Sequence, residues 1–143
     1  MDEIIEAAKA AEIHDFINEL PEGYNTICGS SASLFSGGQN QRICIARALV
    51  GYRNWNYLYG DEITSALDSK TAEKITDTIL SFCKSHGKSF ICSTHSKYLM
   101  SKCELIVYIC QDGSVLIDSL SNLMVRSLDF RDLFTNSILD SME

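Results

Sequence analysis

The chain has 143 residues, 45% of them hydrophobic, enough for one compact domain with its own core. A formal net charge of −7 argues against a nucleic-acid footprint, which wants Lys and Arg clustered on one face, and no run approaches the roughly 20 apolar residues that span a bilayer. Six cysteines, at 28, 44, 83, 92, 103 and 110, show no C-x-x-C or zinc-like spacing and are expected to be reduced thiols in a cytosolic compartment, with Cys92 and Cys110 acting as small core residues.

Residues 2 to 20 predict one helix, with Ile4, Ala8, Ala11, Ile13, Phe16, Ile17 and Leu20 on a single stripe and Pro21-Glu22-Gly23 ending it. The opening Met1-Asp2-Glu3 lacks the charged-then-apolar layout of a signal peptide. A small-residue loop, Gly29 to Ser33, leads into Ser36-Gly37-Gly38-Gln39, and a second helix runs to about Val50 with Gly51 as terminator. Trp55 to Tyr59 predicts a strand that stops at Gly60-Asp61-Glu62. A long helix follows over about 69 to 86, with Asp68 as N-cap, Ile75, Ile79 and Phe82 inward, and Gly87 beyond its end. Ser89 to Thr94 predicts a buried strand that halts at His95. Gln111-Asp112-Gly113-Ser114 sits between two apolar runs and predicts a hairpin, and amphipathic segments near 120–125 and 130–139 close the chain. Strands separated by a crossover helix indicate an α/β fold with a parallel sheet.

Three places carry chemistry. Ser36-Gly37-Gly38-Gln39 opens a helix, where first-turn amides lack intrahelical acceptors and glycines let a ligand approach, so the tip can hold an anion. A glycine-softened cap would look the same. Asp61-Glu62 ends a strand, the edge of an open α/β sheet where ligands bind; a paired carboxylate there can hold Mg²⁺ and move a proton, or can simply be solvated. His95 ends the next strand and can contact a phosphate or play a structural part. His14 and His86 fall on helix surfaces without an evident partner and are read as structural.

The order Ser36-Gly37-Gly38-Gln39, Gln41-Arg42, Ile45-Ala46-Arg47-Ala48-Leu49, Asp61-Glu62, Ser65-Ala66-Leu67-Asp68 and His95 resembles the ATP-binding cassette (ABC) ATPases. It matches their signature motif, Walker B strand with catalytic glutamate, D-loop and H-loop. Glu6-Ala7-Ala8, His14-Asp15-Phe16-Ile17 and Leu20-Pro21-Glu22-Gly23-Tyr24 are similar to the helical subdomain of multidrug-type exporters. The resemblance covers about residues 1 to 134.

It implies a partial ABC nucleotide-binding domain, with a helical subdomain over 1–51 and the C-terminal part of a P-loop ATPase core over 52–143. Its ligands would be ATP and Mg²⁺. Ser36, Gly37, Gly38 and Gln39 would contact ATP held by the opposite subunit of a head-to-tail dimer. Asp61 would hold Mg²⁺, Glu62 would be the general base, and His95 would contact the γ-phosphate. Ser65, Ala66, Leu67 and Asp68 would communicate across the dimer. The implied partners are a second nucleotide-binding domain and the transmembrane domains of an exporter, at the cytoplasmic face of a membrane. A catalytically incomplete interaction module and a soluble ABC ATPase are the alternatives.

The sequence departs from the family pattern in one large respect. No G-x-x-x-x-G-K-[ST] P-loop is present; Gly87-Lys88-Ser89 imitates its last positions, but Phe82 stands where the first glycine belongs. The aromatic adenine loop and the Q-loop are also missing, which leaves a fragment, a split gene or a natural truncation, and the isolated chain is expected to be inactive. Smaller departures are Phe35 for a leucine, Asn54 for a proline, and Gly60 for a bulky residue, the last expected to loosen the strand end.

Overall fold

The computed structural model describes residues 1–27 and 35–136. Cys28, the loop over 29–33 and the final stretch expected to extend a helix to 139 lie outside the described residues. Two compact units divide the chain, Met1–Thr94 and His95–Glu143.

The first unit begins with α1 (Asp2–Ala10) and α2 (His14–Glu19), two helices where one was expected. The break is a hydrogen-bonded stop. Glu12 turns left-handed at φ 55°, its N–H bonds Lys9 O at 3.0 Å, and the next N–H, of Ile13, bonds Ala8 O at 3.0 Å. Those two bonds satisfy α1's last carbonyls and throw Ile13, fully buried, into the core. The apolar stripe continues across the break, which is why it reads as one helix. Ile4, placed on that stripe, is instead 42% exposed.

α3 (Gly37–Leu49) follows, then β1 (Tyr57–Asp61), α4 (Ser69–Ser85) and β2 (Ser89–Ser93). α4 is bounded as its sequence predicts. The Asp68 carboxylate accepts from Thr71 N at 3.0 Å, and Gly87 at φ 63° closes the other end through bonds from Gly87 N to Lys84 O and from Lys88 N to Cys83 O. β1 and β2 pair in parallel, Tyr57 opposite Ser89 through Asp61 opposite Ser93, with α4 as the crossover.

The core of this unit joins α1, α3 and α4 through residues such as Ala8, Ile13, Leu49, Ile75 and Ile79. Leu58 and Phe90 turn one face of the strand pair toward it. The other face is open: Tyr59 is 70% exposed and its cross-strand neighbour Ile91 50%. β2 is therefore half-exposed where a buried strand was expected. Cys92 and Cys110 are likewise only partly buried.

The two histidines read as unpartnered have partners. His14 bonds Tyr24 Oη at 2.8 Å and Asn18 at 3.0 Å, tying α2 to the turn that follows it. His86 bonds Phe82 O at 2.8 Å, packs on the rings of Tyr52 and Phe82, and lies 3.4 Å from Glu6. Both remain structural.

The second unit contains α5 (Lys97–Lys102), β3 (Ile106–Ile109), β4 (Val115–Asp118), α6 (Leu120–Arg126) and α7 (Leu128–Asn136). β3 and β4 form the expected antiparallel hairpin. Gly113 at φ 83° makes its turn, and Asp112 accepts from Ser114 N at 2.9 Å. Leu123, Phe130 and Met100 form a small core under one hairpin face, while Val107, Ile109, Val115 and Ile117 on the other face are exposed. Among the described residues no helix is long and apolar enough to cross a membrane.

Candidate functional site

The first candidate element is the start of α3. Ser36 is its N-cap, with Gln39 N donating to Ser36 Oγ at 3.2 Å and Ser36 N donating to Gln39 Oε1 at 2.8 Å. This reciprocal capping box is written in the sequence as Ser-x-x-Gln and fixes the helix tip in place. Gly37 and Gly38 occupy the first two helical positions, so their amides have no intrahelical acceptor. Among the described residues a Cβ at Gly37 would meet nothing within 4 Å, leaving this side of the tip open to a ligand. A Cβ at Gly38 would lie 3.3 Å from Leu67 Cδ2 and 3.6 Å from Ala66 O, so the tip rests directly on the 66–67 turn.

The second element is the C-terminal edge of the strand pair. Asp61 and Ser93 face one another across it, and Ser93 Oγ donates to Asp61 Oδ1. Glu62 follows with φ 44°, a left-handed residue. Its N–H donates to Ser93 O at 3.2 Å and to Ser93 Oγ at 3.3 Å, and its carbonyl accepts from Ser65 N at 3.0 Å. Strained non-glycine conformations of this kind persist only where several contacts fix them. Both carboxylates are exposed.

Gly60 permits this turn. A Cβ there would stand 2.5 Å from Ile63 Cγ2 and 3.3 Å from Phe90. The volume of the expected bulky side chain is filled by Ile63 folding back onto the strand, so the edge is packed where loosening was expected.

Residues 62–68 connect the edge to α4. Leu67 N bonds Thr64 O at 3.1 Å, and Ser65 and Ala66 are exposed. Asp68 caps α4, and its hydrogen bonds from Thr71 hold its carboxyl below the ordinary 3.8. Gln41 of α3 reaches this turn: Nε2 donates to Glu62 O at 3.4 Å, and Oε1 accepts from Ala66 N at 3.3 Å. Sequence reasoning had given Gln41 no role of its own. An open groove between α3 and β1 is lined by Gln41, Cys44, Tyr59 and Asp61.

His95 is exposed, follows Ser93 by two residues and opens the second unit. Gly87-Lys88-Ser89 joins the end of a helix to the start of a strand, the reverse of a P-loop.

Among the described residues no group of three or more His, Cys, Asp or Glu could by itself hold a metal ion. A single exposed carboxylate at a strand end nevertheless fits Mg²⁺, which keeps most of its water and takes one or two carboxylates plus phosphate oxygens.

No family model matches the chain. It is 39% identical over 132 residues, 92% of its length, to ABC transporter B family member 3 of Dictyostelium discoideum. It is 44% identical over 118 residues to the leptomycin B resistance protein pmd1 of Schizosaccharomyces pombe. The chain spans only 9% and 8% of these two relatives. In structure it resembles a bacterial Atm1-family ABC exporter with ATP bound, at TM-score 0.84 and 31% identity, covering 96% of this chain and 24% of that one.

Proposed function

The chain is a relative of ABC exporters, matching one segment of them along most of its length, and from that premise we propose that it is the C-terminal part of an exporter ATPase domain. In this reading two such domains close head to tail around ATP, and hydrolysis reopens them to drive attached transmembrane segments. A P-loop from outside these 143 residues cradles the phosphates.

The observation that supports it is a shared frame. An open glycine helix tip and an exposed Asp61–Glu62 edge are held against one turn in a single compact unit. The Gly37 and Gly38 amides and the Ser36 hydroxyl bind the γ-phosphate of ATP on the opposite subunit, with the helix dipole adding about 0.3–2 kcal/mol. Asp61 holds Mg²⁺, which when bound neutralises charge on the phosphates. Glu62 accepts a proton from the attacking water or orients it, and His95 hydrogen-bonds the γ-phosphate of its own site.

Joining the chain to a P-loop-bearing segment tests this. ATPase activity is expected to appear, and Glu62→Gln to lower it about 100-fold or more. Activity indifferent to Glu62 rejects the assignment.

A further inference from the structure

The Glu62 turn and the α3 tip touch through one polar side chain. Gln41 donates from its amide N–H to Glu62 O, and its amide oxygen accepts from the N–H of Ala66. Both partners are backbone groups with fixed roles, one acceptor and one donor, so the orientation of the amide is determined. Gly38, one turn earlier on α3, lets the backbone sit against Leu67. The left-handed Glu62 is thus held at both ends: Ser93 accepts from its N–H, and its carbonyl accepts from Ser65 N at 3.0 Å and from Gln41 Nε2 at 3.4 Å.

We propose that Gln41 is a positioning residue that couples the α3 tip to the Glu62 turn. This rests on the function proposed above. There the helix tip reads one ATP and Glu62 acts on another, so a side chain spanning both elements transmits a shift of one to the other. Gln41 touches no phosphate in that arrangement. Its effect runs through the backbone angle of Glu62 and the position of Ala66 in the D-loop.

Amide hydrogen exchange on this chain tests the contact. Gln41→Met keeps the length of the side chain and removes both hydrogen bonds. The Ala66 amide is expected to exchange about three- to tenfold faster, measured as a ratio to the Ile79 amide in α4, which corrects for any change in global stability. Gln41→Glu keeps the acceptor and is expected to leave Ala66 protected. An unchanged ratio in Gln41→Met overturns the contact.

In the chain completed by a P-loop segment, Gln41→Met is expected to lower kcat about tenfold with KM for ATP unchanged, since only a group acting on the chemical step is displaced. Normal kcat alongside a released Ala66 amide overturns the positioning role. If the unaltered completed chain shows no turnover, the proposed function fails, while the exchange result still decides the contact.

Discussion

Two glutamates, Glu12 and Glu62, take left-handed backbone conformations, at φ 55° and 44°. Each offers its carbonyl to α3: Arg42 Nη1 donates to Glu12 O at 2.9 Å, and the neighbouring Gln41 donates to Glu62 O at 3.4 Å. Their surroundings differ. Glu12 stands between buried Ala11 and buried Ile13, and its carboxylate pairs with Lys74 at 2.6 Å. Glu62 follows exposed Asp61, and its backbone is fixed by hydrogen bonds at a sheet edge. At Glu12 the unfavourable angle is offset by the apolar burial it makes possible. Glu62 stands between exposed Asp61 and half-buried Ile63, which packs over Gly60, and its own carboxylate stays exposed.

This contrast can be broken by substitution. The largest effect is expected at Gly60, where a Cβ 2.5 Å from Ile63 forces the Glu62 turn to move. Gly60→Ala is expected to cost about 1–3 kcal/mol in a denaturant titration, as overpacking does. An unaffected midpoint would show that Ile63 swings aside freely and that the turn is not packed as described.

Glu12→Gly is expected to be smaller and of opposite sign. Relief of the left-handed angle is worth about 1–2 kcal/mol, and the lost partly exposed pair with Lys74 returns about 0–1. The variant should therefore lie between the parent's stability and about 2 kcal/mol above it, and a net loss of stability would make the ion pair the dominant contact.

The smallest effect concerns pH. Asp68, Asp112 and Asp118 each have carboxyls held below the ordinary 3.8 by hydrogen bonds, from Thr71, Ser114 and Asn122 respectively. A depressed folded-state value stabilises above the unfolded pKa, and that contribution disappears as pH falls through the folded values. Thermal unfolding is expected to show a shallow decline below about pH 4 from these three carboxylates. In Asp68→Asn that decline should shrink, and an identical decline would remove the cap from the account.

Much of this fold is legible where a residue type and a geometry coincide. Asp68 and Gly87 bracket α4 because an acidic N-cap and a left-handed glycine are common solutions to unpaired helix ends. Asp112-Gly113 marks the hairpin for a similar reason. Glu12 hides its corner because glutamate carries no turn signal, and the apolar stripe crosses the break. α5 is missed because six residues hold too little periodicity, although Ser96 caps it by accepting from Leu99 N. The apolar run of β2 suggested a buried strand, yet period-two alternation leaves Ile91 outward. At the site, the glycine tip and Asp61–Glu62 stand out by their places at a helix start and a strand end, and their roles are implied only by the ordered resemblance to ABC ATPases. The Gln41 bridge and the Ser93–Asp61 bond do not stand out, since each joins residues more than twenty positions apart.

Under the proposed function Glu62 acts on the attacking water, whereas Glu12 acts only on the backbone. ATP turnover in the chain completed by a P-loop segment tests it most directly, with Glu12→Gly and Glu62→Gln compared in parallel. Parental turnover is expected in Glu12→Gly, and in Glu62→Gln a fall of about 100-fold or more with ATP binding retained. Equal turnover in the two variants would contradict it.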